Sequence, residues 1–266
     1  MTNVLDIQTE GHLRVLRLNR PDRKNALNGE LIEAIVTAVR GAAADDDVWA
    51  IAMTGNGDAF CSGLDLSGIG GDGADDGARV EPSDEERARD HFALVMRFEC
   101  EKPILVGVNG VAVGIGVSLA MSGDIRLAAP SARFHPGYAR VGASPDGGLT
   151  WTLPEAVGYE RAMRFFLENR MVPATEARAI GMVGEMTETD DGFEKRFLEY
   201  GQLLAGVAPI AARQTKHLVG RLTRPPELQA HLGAEFRLTL QAFTTADSKE
   251  AVRAMAAREQ PTFTGH

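Results

Sequence analysis

The run Val106–Asp124, VGVNGVAVGIGVSLAMSGD, constrains this chain more than any other segment. An apolar stretch enters a turn rich in glycine and leaves with helical periodicity, so it reads as a buried strand turning into a helix. A helix that begins in such a turn aims free backbone N–H groups, backed by its dipole, at one spot. Downstream, Ser144-Pro145-Asp146-Gly147-Gly148 sets a lone carboxylate in a turn, where Pro-Asp-Gly is favoured. Backbone donors with one carboxylate suit chemistry that holds negative charge on an oxygen and moves a proton.

The residues alone leave three uses of that turn open. A dinucleotide site wants G-x-G-x-x-G; here the third glycine is replaced by Leu119, and no clear acidic residue ends a strand at the usual distance. Close packing of helix on strand would need only the small residues. An oxyanion site needs a second donor, which Gly57–Leu66 (GDAFCSGLDL) could supply just after the apolar strand Trp49–Thr54.

The flanking patterns place this turn in an α/β chain. Val4–Gln8 and Leu13–Leu18 predict a hairpin around Gly11, and Asn28 caps a helix carrying Leu31, Ile32, Ile35, Val36 and Val39. Pro103–Val108 and Ile125–Ala128 predict further strands. Residues 67–82 have no hydrophobic period and predict a mobile loop; Ser83-Asp84-Glu85-Glu86 is a capping box opening a helix to about Phe98. Past residue 155 the signal is almost all helical: Tyr159–Asn169, Ala174–Ile180, Phe193–Ala205, Pro209–Arg221, Glu227–Phe243 and Asp247–Arg258, the last with Asp247 and Glu250 as a capping pair. The expected division is a β/α core over 1–194 and a helical region over 195–266.

Composition narrows the partners. The 266 residues carry a formal net charge of −9, which argues against a phosphate-backbone partner. No apolar run approaches a membrane span, the first residues lack a secretory pattern, and the two cysteines, Cys61 and Cys100, stand far apart. The expectation is a cytoplasmic protein without nucleic acid, membrane or metal.

Several segments, taken in order, resemble the enoyl-CoA hydratase/isomerase family, the crotonase superfamily. They are LNRPDRKNALN (Leu18–Asn28), AFCSGLDL (Ala59–Leu66), NGVAVGIGVSLAMSGDIRLAA (Asn109–Ala129), FHPGYARVGASPDGG (Phe134–Gly148) and the final Pro261-Thr262-Phe263. The resemblance implies a spiral of ββα units with a helical C-terminal region that builds homotrimers, often paired into hexamers. It implies an acyl-CoA substrate and no separate cofactor. The oxyanion donors would be the amides of Leu64 and Ile115. Arg23, Lys24, Ala26, Ser62, Gly63, Asp65 and Leu66 would line the coenzyme A moiety, with Arg23 and Lys24 as cations for its phosphates; lysines that some hydratases use fall on Asp58 and Ser67.

The family's hydratases use two glutamates, whose positions here hold Ser118 and Gly137. Hydration must both activate water and manage the α-proton, which neither residue does alone. Asp146 matches instead the carboxylate of isomerases of the phenylacetate-pathway type. The expected activity is a β,γ- to α,β-shift of an enoyl-CoA double bond with Asp146 as proton shuttle. The alternatives are hydration, with water held by His135 or Ser118, and an acyl-CoA-binding protein with little catalysis. Tyr138 and Trp151 are candidates for the acyl pocket or for packing. Phe92, Val95 and Met96 read as core and pocket wall.

Overall fold

In the computed structural model the described residues are 3–65, 91–220, 225–262 and 264, the side chains of 225–227 excepted. The 67–82 loop, the 83–86 capping box, Leu66 and Phe263 therefore lie outside the described residues.

Strands β1 (Leu5–Glu10) and β2 (Leu13–Leu18) form the expected antiparallel hairpin. Helix α1 (Gly29–Ala44) starts where Asn28 accepts the Leu31 N–H at 3.0 Å. The chain then alternates between two sheets. Strands β3 (Ala50–Gly55), β5 (Ile104–Val108) and β7 (Ile125–Ala128) join the larger sheet. Each is followed at once by a short strand of the smaller sheet: β4 (Ala59–Cys61), β6 (Val111–Val113) and β8 (Arg133–His135). The larger sheet runs β1-β2-β3-β5-β7-β10 and is parallel from β2 onward; the smaller runs β4-β6-β8-β9. Strands β3 and β5 are buried throughout, as continuous apolar runs in a parallel sheet covered on both faces should be.

Between these strand pairs stand α2 (Phe92–Leu94), which runs on into a π-helical turn at Val95–Glu99, and α3 (Ile115–Met121). Helices α4 (Leu149–Val157) and α5 (Tyr159–Glu168) follow, then β9 (Val172–Pro173), α6 (Ala174–Ile180) and β10 (Glu185–Met186). The sequence pattern missed β4, β6, β8, β9 and β10, each too short to show a period of two, and with them the smaller sheet.

Helix α7 (Phe193–Ala205) spans the expected 194/195 division. Its Phe193 and Phe197 pack on Leu13, Val15, Leu105 and Leu127 of the larger sheet, so its inner face belongs to the core. Helices α8 (Pro209–Gly220), α9 (Pro225–Phe243) and α10 (Ala246–Ala257) complete the chain. The cap of α10 corrects the sequence reading: Thr245 Oγ1 accepts the Ser248 N–H, while Glu250 pairs with Arg253 and Asp247 accepts from Thr264. Among the described residues no helix is long and apolar enough to cross a membrane.

Candidate active site

The glycine turn brings two loop ends together. Gly114 caps α3 with φ 53° and ψ −123°, a backbone state that a Cβ opposes, and this starts the helix at Ile115. Gly116 lets α3 press on β4, since a Cβ there would lie 2.4 Å from the Cys61 carbonyl oxygen. Gly63 and Leu64, just past β4, thereby share one pocket with Gly114 and Ile115. Among the described residues no acceptor engages the N–H of Leu64 or of Ile115. Two such amides at one pocket, one of them on the first residue of a helix, are groups of the kind that can receive developing negative charge. Leu64 is 39% exposed, at the pocket mouth.

The segment before α1 frames the same side. Leu27 N–H donates to the Gly63 carbonyl and Asp65 N–H to the Leu27 carbonyl, so 23–27 and 61–65 run side by side. Ser62 is tied to it twice, by its N–H to the Lys24 carbonyl and its hydroxyl to the Arg23 carbonyl. Ala26 is buried, and its carbonyl accepts from Arg20. Arg20 also takes the Asp65 carboxylate at 2.7 Å, turning that side chain to the scaffold. Arg23 and Lys24 are exposed, and Lys24 pairs with Asp58 at 2.6 Å. Such a surface pair is screened by solvent and salt and holds the two side chains only weakly. Sequence reasoning missed Arg20 and the buried Asn25, whose amide donates to the Asn56 and Ala59 carbonyls. Both stand inside the LNRPDRKNALN segment, yet only the fold reveals what they bridge.

Asp146 lines the same pocket as the two amides. It is half-buried, and burial is the main cause that pushes its carboxyl up to about 6, with the nearby Glu235 charge acting in the same direction. Tyr138 Oη donates to Asp146 Oδ1 at 3.0 Å, which works against that rise. The phenol itself is held protonated, because burial and the Asp146 charge raise its pKa. Ser118 Oγ donates to the Asp146 carbonyl at 2.9 Å and lies 3.1 Å from Tyr138 Oη. Ser118 thus braces the Asp146 turn from the helix position where a hydratase carries glutamate.

The other such position, Gly137, has φ 79°, and a Cβ there would sit 2.9 Å from Val113 Cγ1. The backbone is shaped for glycine and strains against a glutamate. Among the described residues lining the pocket, Asp146 carries the one carboxyl group.

Some candidates fall elsewhere. His135 and Ser118, which the hydration alternative assigned to water, are buried and absent from the described pocket lining. Trp151 packs beside Leu94, Leu228 and Leu232, and Phe92, Val95 and Met96 lie in the main core, so none of them walls the described pocket. Tyr138 does line it, as do Thr239 and Phe243 from α9, which the sequence gave no reason to bring there. Burial raises the Cys61 thiol to about 12, which leaves it inert.

Residues 8–266 match the family model described as enoyl-CoA hydratase/isomerase. A "probable enoyl-CoA hydratase" of Rhodobacter capsulatus is 36% identical over 254 residues, 95% of each chain. The "1,2-epoxyphenylacetyl-CoA isomerase" of Escherichia coli is 32% identical over 261 residues, 96% of each. The crystal structure of an enoyl-CoA hydratase/isomerase from Pseudoalteromonas atlantica superposes with a TM-score of 0.86 at 31% identity, covering 98% of this chain and 100% of that one. The likeness extends over the whole architecture, and the crotonase-type fold that the sequence motifs implied is the fold of this chain.

Proposed function

This chain is an acyl-CoA enzyme of the enoyl-CoA hydratase/isomerase family, and from that premise we propose that it isomerises β,γ-enoyl-CoA to α,β-enoyl-CoA. The observation that carries the reading is Asp146, the lone carboxylate of the described lining, in one pocket with the free amides of Leu64 and Ile115. With a pKa near 6 it is mostly ionised at neutral pH, and its conjugate acid is strong enough to return a proton.

Asp146 takes the proton from C2 of the substrate, and the C–H electron pair moves toward the thioester. The carbonyl oxygen becomes a dienolate oxyanion that accepts from the Leu64 and Ile115 N–H groups; losing one such donor typically costs about 2.7–4 kcal/mol. The dienolate then takes a proton at C4 from the Asp146 carboxyl, which can exchange with solvent in between, and its charge collapses back to the carbonyl, leaving the double bond between C2 and C3. No redox partner or separate cofactor enters the balance. Arg23 and Lys24 are available for the coenzyme A phosphates, with Ala26, Ser62 and Gly63 along the frame.

A second reading, hydration, is favoured by the name of the Rhodobacter relative, whose identity is the higher of the two. Product analysis separates the readings: 3-enoyl-CoA and crotonyl-CoA are each given to the enzyme in deuterated water, beside Asp146→Asn. Isomerisation with solvent exchange that Asp146→Asn abolishes is the expected result. Isomerisation that survives the substitution would remove Asp146 from the mechanism, and fast conversion of crotonyl-CoA to its 3-hydroxy product would establish the second reading.

The helical end of the chain also supports the expectation of a trimer or hexamer. Ile210, Leu218, Val219, Leu238 and Val252 are exposed apolar residues on α8, α9 and α10, a surface suited to burial between subunits. Light scattering on the purified protein tests it; a monomer at working concentration would refute it.

A further inference from the structure

The Asp146 turn is clasped from outside by the last two helices. On α9, His231, Glu235, Thr239 and Phe243 recur at i, i+4 and so share one face. Phe243 and Thr239 reach the pocket, and Thr239 Oγ1 donates to the Ser144 carbonyl at 3.0 Å. On α10, Ser248 Oγ donates to the Val141 carbonyl at 3.0 Å.

Glu235 makes the densest set of contacts on this face. It is a 5% exposed carboxylate whose Oε2 accepts the Gly148 N–H at 2.7 Å. Its Oε1 accepts the Thr150 N–H at 3.1 Å and also the Thr150 hydroxyl. These amides open α4, so the carboxylate sits where the dipole of α4 favours negative charge. Both carboxylate oxygens are committed to the backbone immediately following Asp146, and burying an unsatisfied carboxylate is otherwise expensive.

We infer that Glu235 is a positioning residue for the proton shuttle: from the C-terminal helix α9 it fixes the Gly147–Thr150 backbone and thereby the place of the Asp146 carboxylate in the pocket. The inference rests on the reading of Asp146 as the proton carrier. Glutamate is the required type, since both oxygens accept. Glutamine would turn an N–H toward either the Gly148 or the Thr150 donor and lose at least one bond. Asparagine or aspartate on the same helix would stop one methylene short.

Among the described residues the titratable groups around this carboxylate are few. His231 Nε2 lies 3.4 Å from Glu235 Oε1 and also contacts the Thr150 hydroxyl. At the N-cap of α2, His91 is held neutral by burial, with its pKa lowered to about 4, and its Nδ1 accepts the Ala93 N–H. From the turn itself comes Asp146, which meets Tyr138 and Ser118 on its other side. Removing the Glu235 charge therefore relieves a repulsion felt by ionised Asp146, and the acid limb of kcat/KM moves to lower pH.

The test compares Glu235→Gln, Thr150→Val, Leu228→Ala and Asp146→Asn in the full chain. Leu228 packs α9 on Leu94 and, although its Cδ1 lies beside Gly148, it bonds none of the turn's polar groups, so Leu228→Ala lowers Tm and leaves kcat within about threefold and the pH profile in place. Glu235→Gln is expected to lower kcat about 10- to 100-fold with KM within about threefold, because the reacting group is misplaced while binding persists. Its acid limb moves to lower pH. Thr150→Val moves kcat in the same direction by less, and decides the matter if Glu235→Gln does not fold. A Glu235→Gln enzyme with kcat within twofold of the parent and an unmoved limb overturns the inference, as does a Thr150→Val enzyme that changes Tm alone. Activity surviving in Asp146→Asn would instead overturn the proton-carrier reading, so the two failures are told apart.

Discussion

The two halves of the proposed site are built on opposite plans. The donor half is backbone: the amides of Leu64 and Ile115, set by glycine conformations and by the contact of α3 with β4. The proton-transfer half is side chain: Asp146, met by Tyr138, with its turn braced by Ser118 from one side and by Glu235, Thr239 and Ser248 from the other. A backbone site tolerates changes in its own side chains and fails when its glycines change. A side-chain site fails when one atom is replaced, and it depends on residues far along the chain. Under the proposed mechanism the donor half fixes which intermediate can be held, and the other half fixes what happens to it.

The largest contrast should come from Asp146→Asn. Loss of a general acid–base group costs roughly 10²–10⁴-fold in kcat, with KM for the CoA ester little changed. The same substitution should stabilise the fold at neutral pH. Asp146 binds its proton more tightly in the folded chain than in the unfolded one, because its folded pKa is raised to about 6. The folded state therefore holds more protons between pH 4 and 6, and Asp146 costs the native state stability as pH rises through that window. Discounted for its partial exposure, the gain in Asp146→Asn is on the order of 2 kcal/mol at pH 7 and vanishes below pH 4. Thermal melts at pH 4 and pH 7 measure it; an equal Tm difference at both pH values would contradict the raised pKa.

Next in size is Gly114→Ala. Alanine opposes the positive φ of 53°, so the first turn of α3 must shift and take the Ile115 amide with it. The expected loss is about 10²-fold in kcat, the scale of one oxyanion donor, with hydrogen–deuterium exchange at C2 falling in parallel. Normal exchange with slow turnover would instead place the defect after enolate formation.

How far the sequence could be read follows the same division. The glycine turn, the GDAFCSGLDL segment and the Pro-Asp-Gly turn each announce a local conformation, and local conformation is what a backbone site consists of. Asn28 as a helix cap and the helix Phe193–Ala205 were legible for that reason. The smaller sheet was not, because strands such as Ala59–Cys61 and Arg133–His135 are too short to carry a period. Nor was the clasp on Asp146: Glu235 stands 87 residues from Gly148, and an acidic residue on a helix reads as solvated until the fold buries it. Ser118 could be recognised as a missing glutamate, but its brace on the Asp146 carbonyl needed coordinates.

A smaller effect should follow from Tyr138→Phe, which keeps the ring and removes the donor to Asp146 Oδ1. That hydrogen bond favours ionised Asp146, so its loss raises the carboxyl pKa from about 6 and moves the acid limb of kcat/KM to higher pH. The shift is opposite in sign to that expected for Glu235→Gln. Opposite shifts from two neighbours of one carboxylate would identify Asp146 as the group that titrates; shifts of the same sign would point to another group.

The smallest effect tests the donor half by leaving its backbone alone. Leu64 lines the pocket and is 39% exposed, so on the proposed reading truncation removes apolar contact with the ligand and keeps the N–H. Leu64→Ala should hold kcat within about threefold of the parent, because the interaction that strengthens in the transition state is made by the main chain. KM should rise modestly with the lost contact. A fall in kcat as large as that of Gly114→Ala would mean that the leucine side chain sets the position of its own amide, and the division between a backbone half and a side-chain half would no longer describe the pocket.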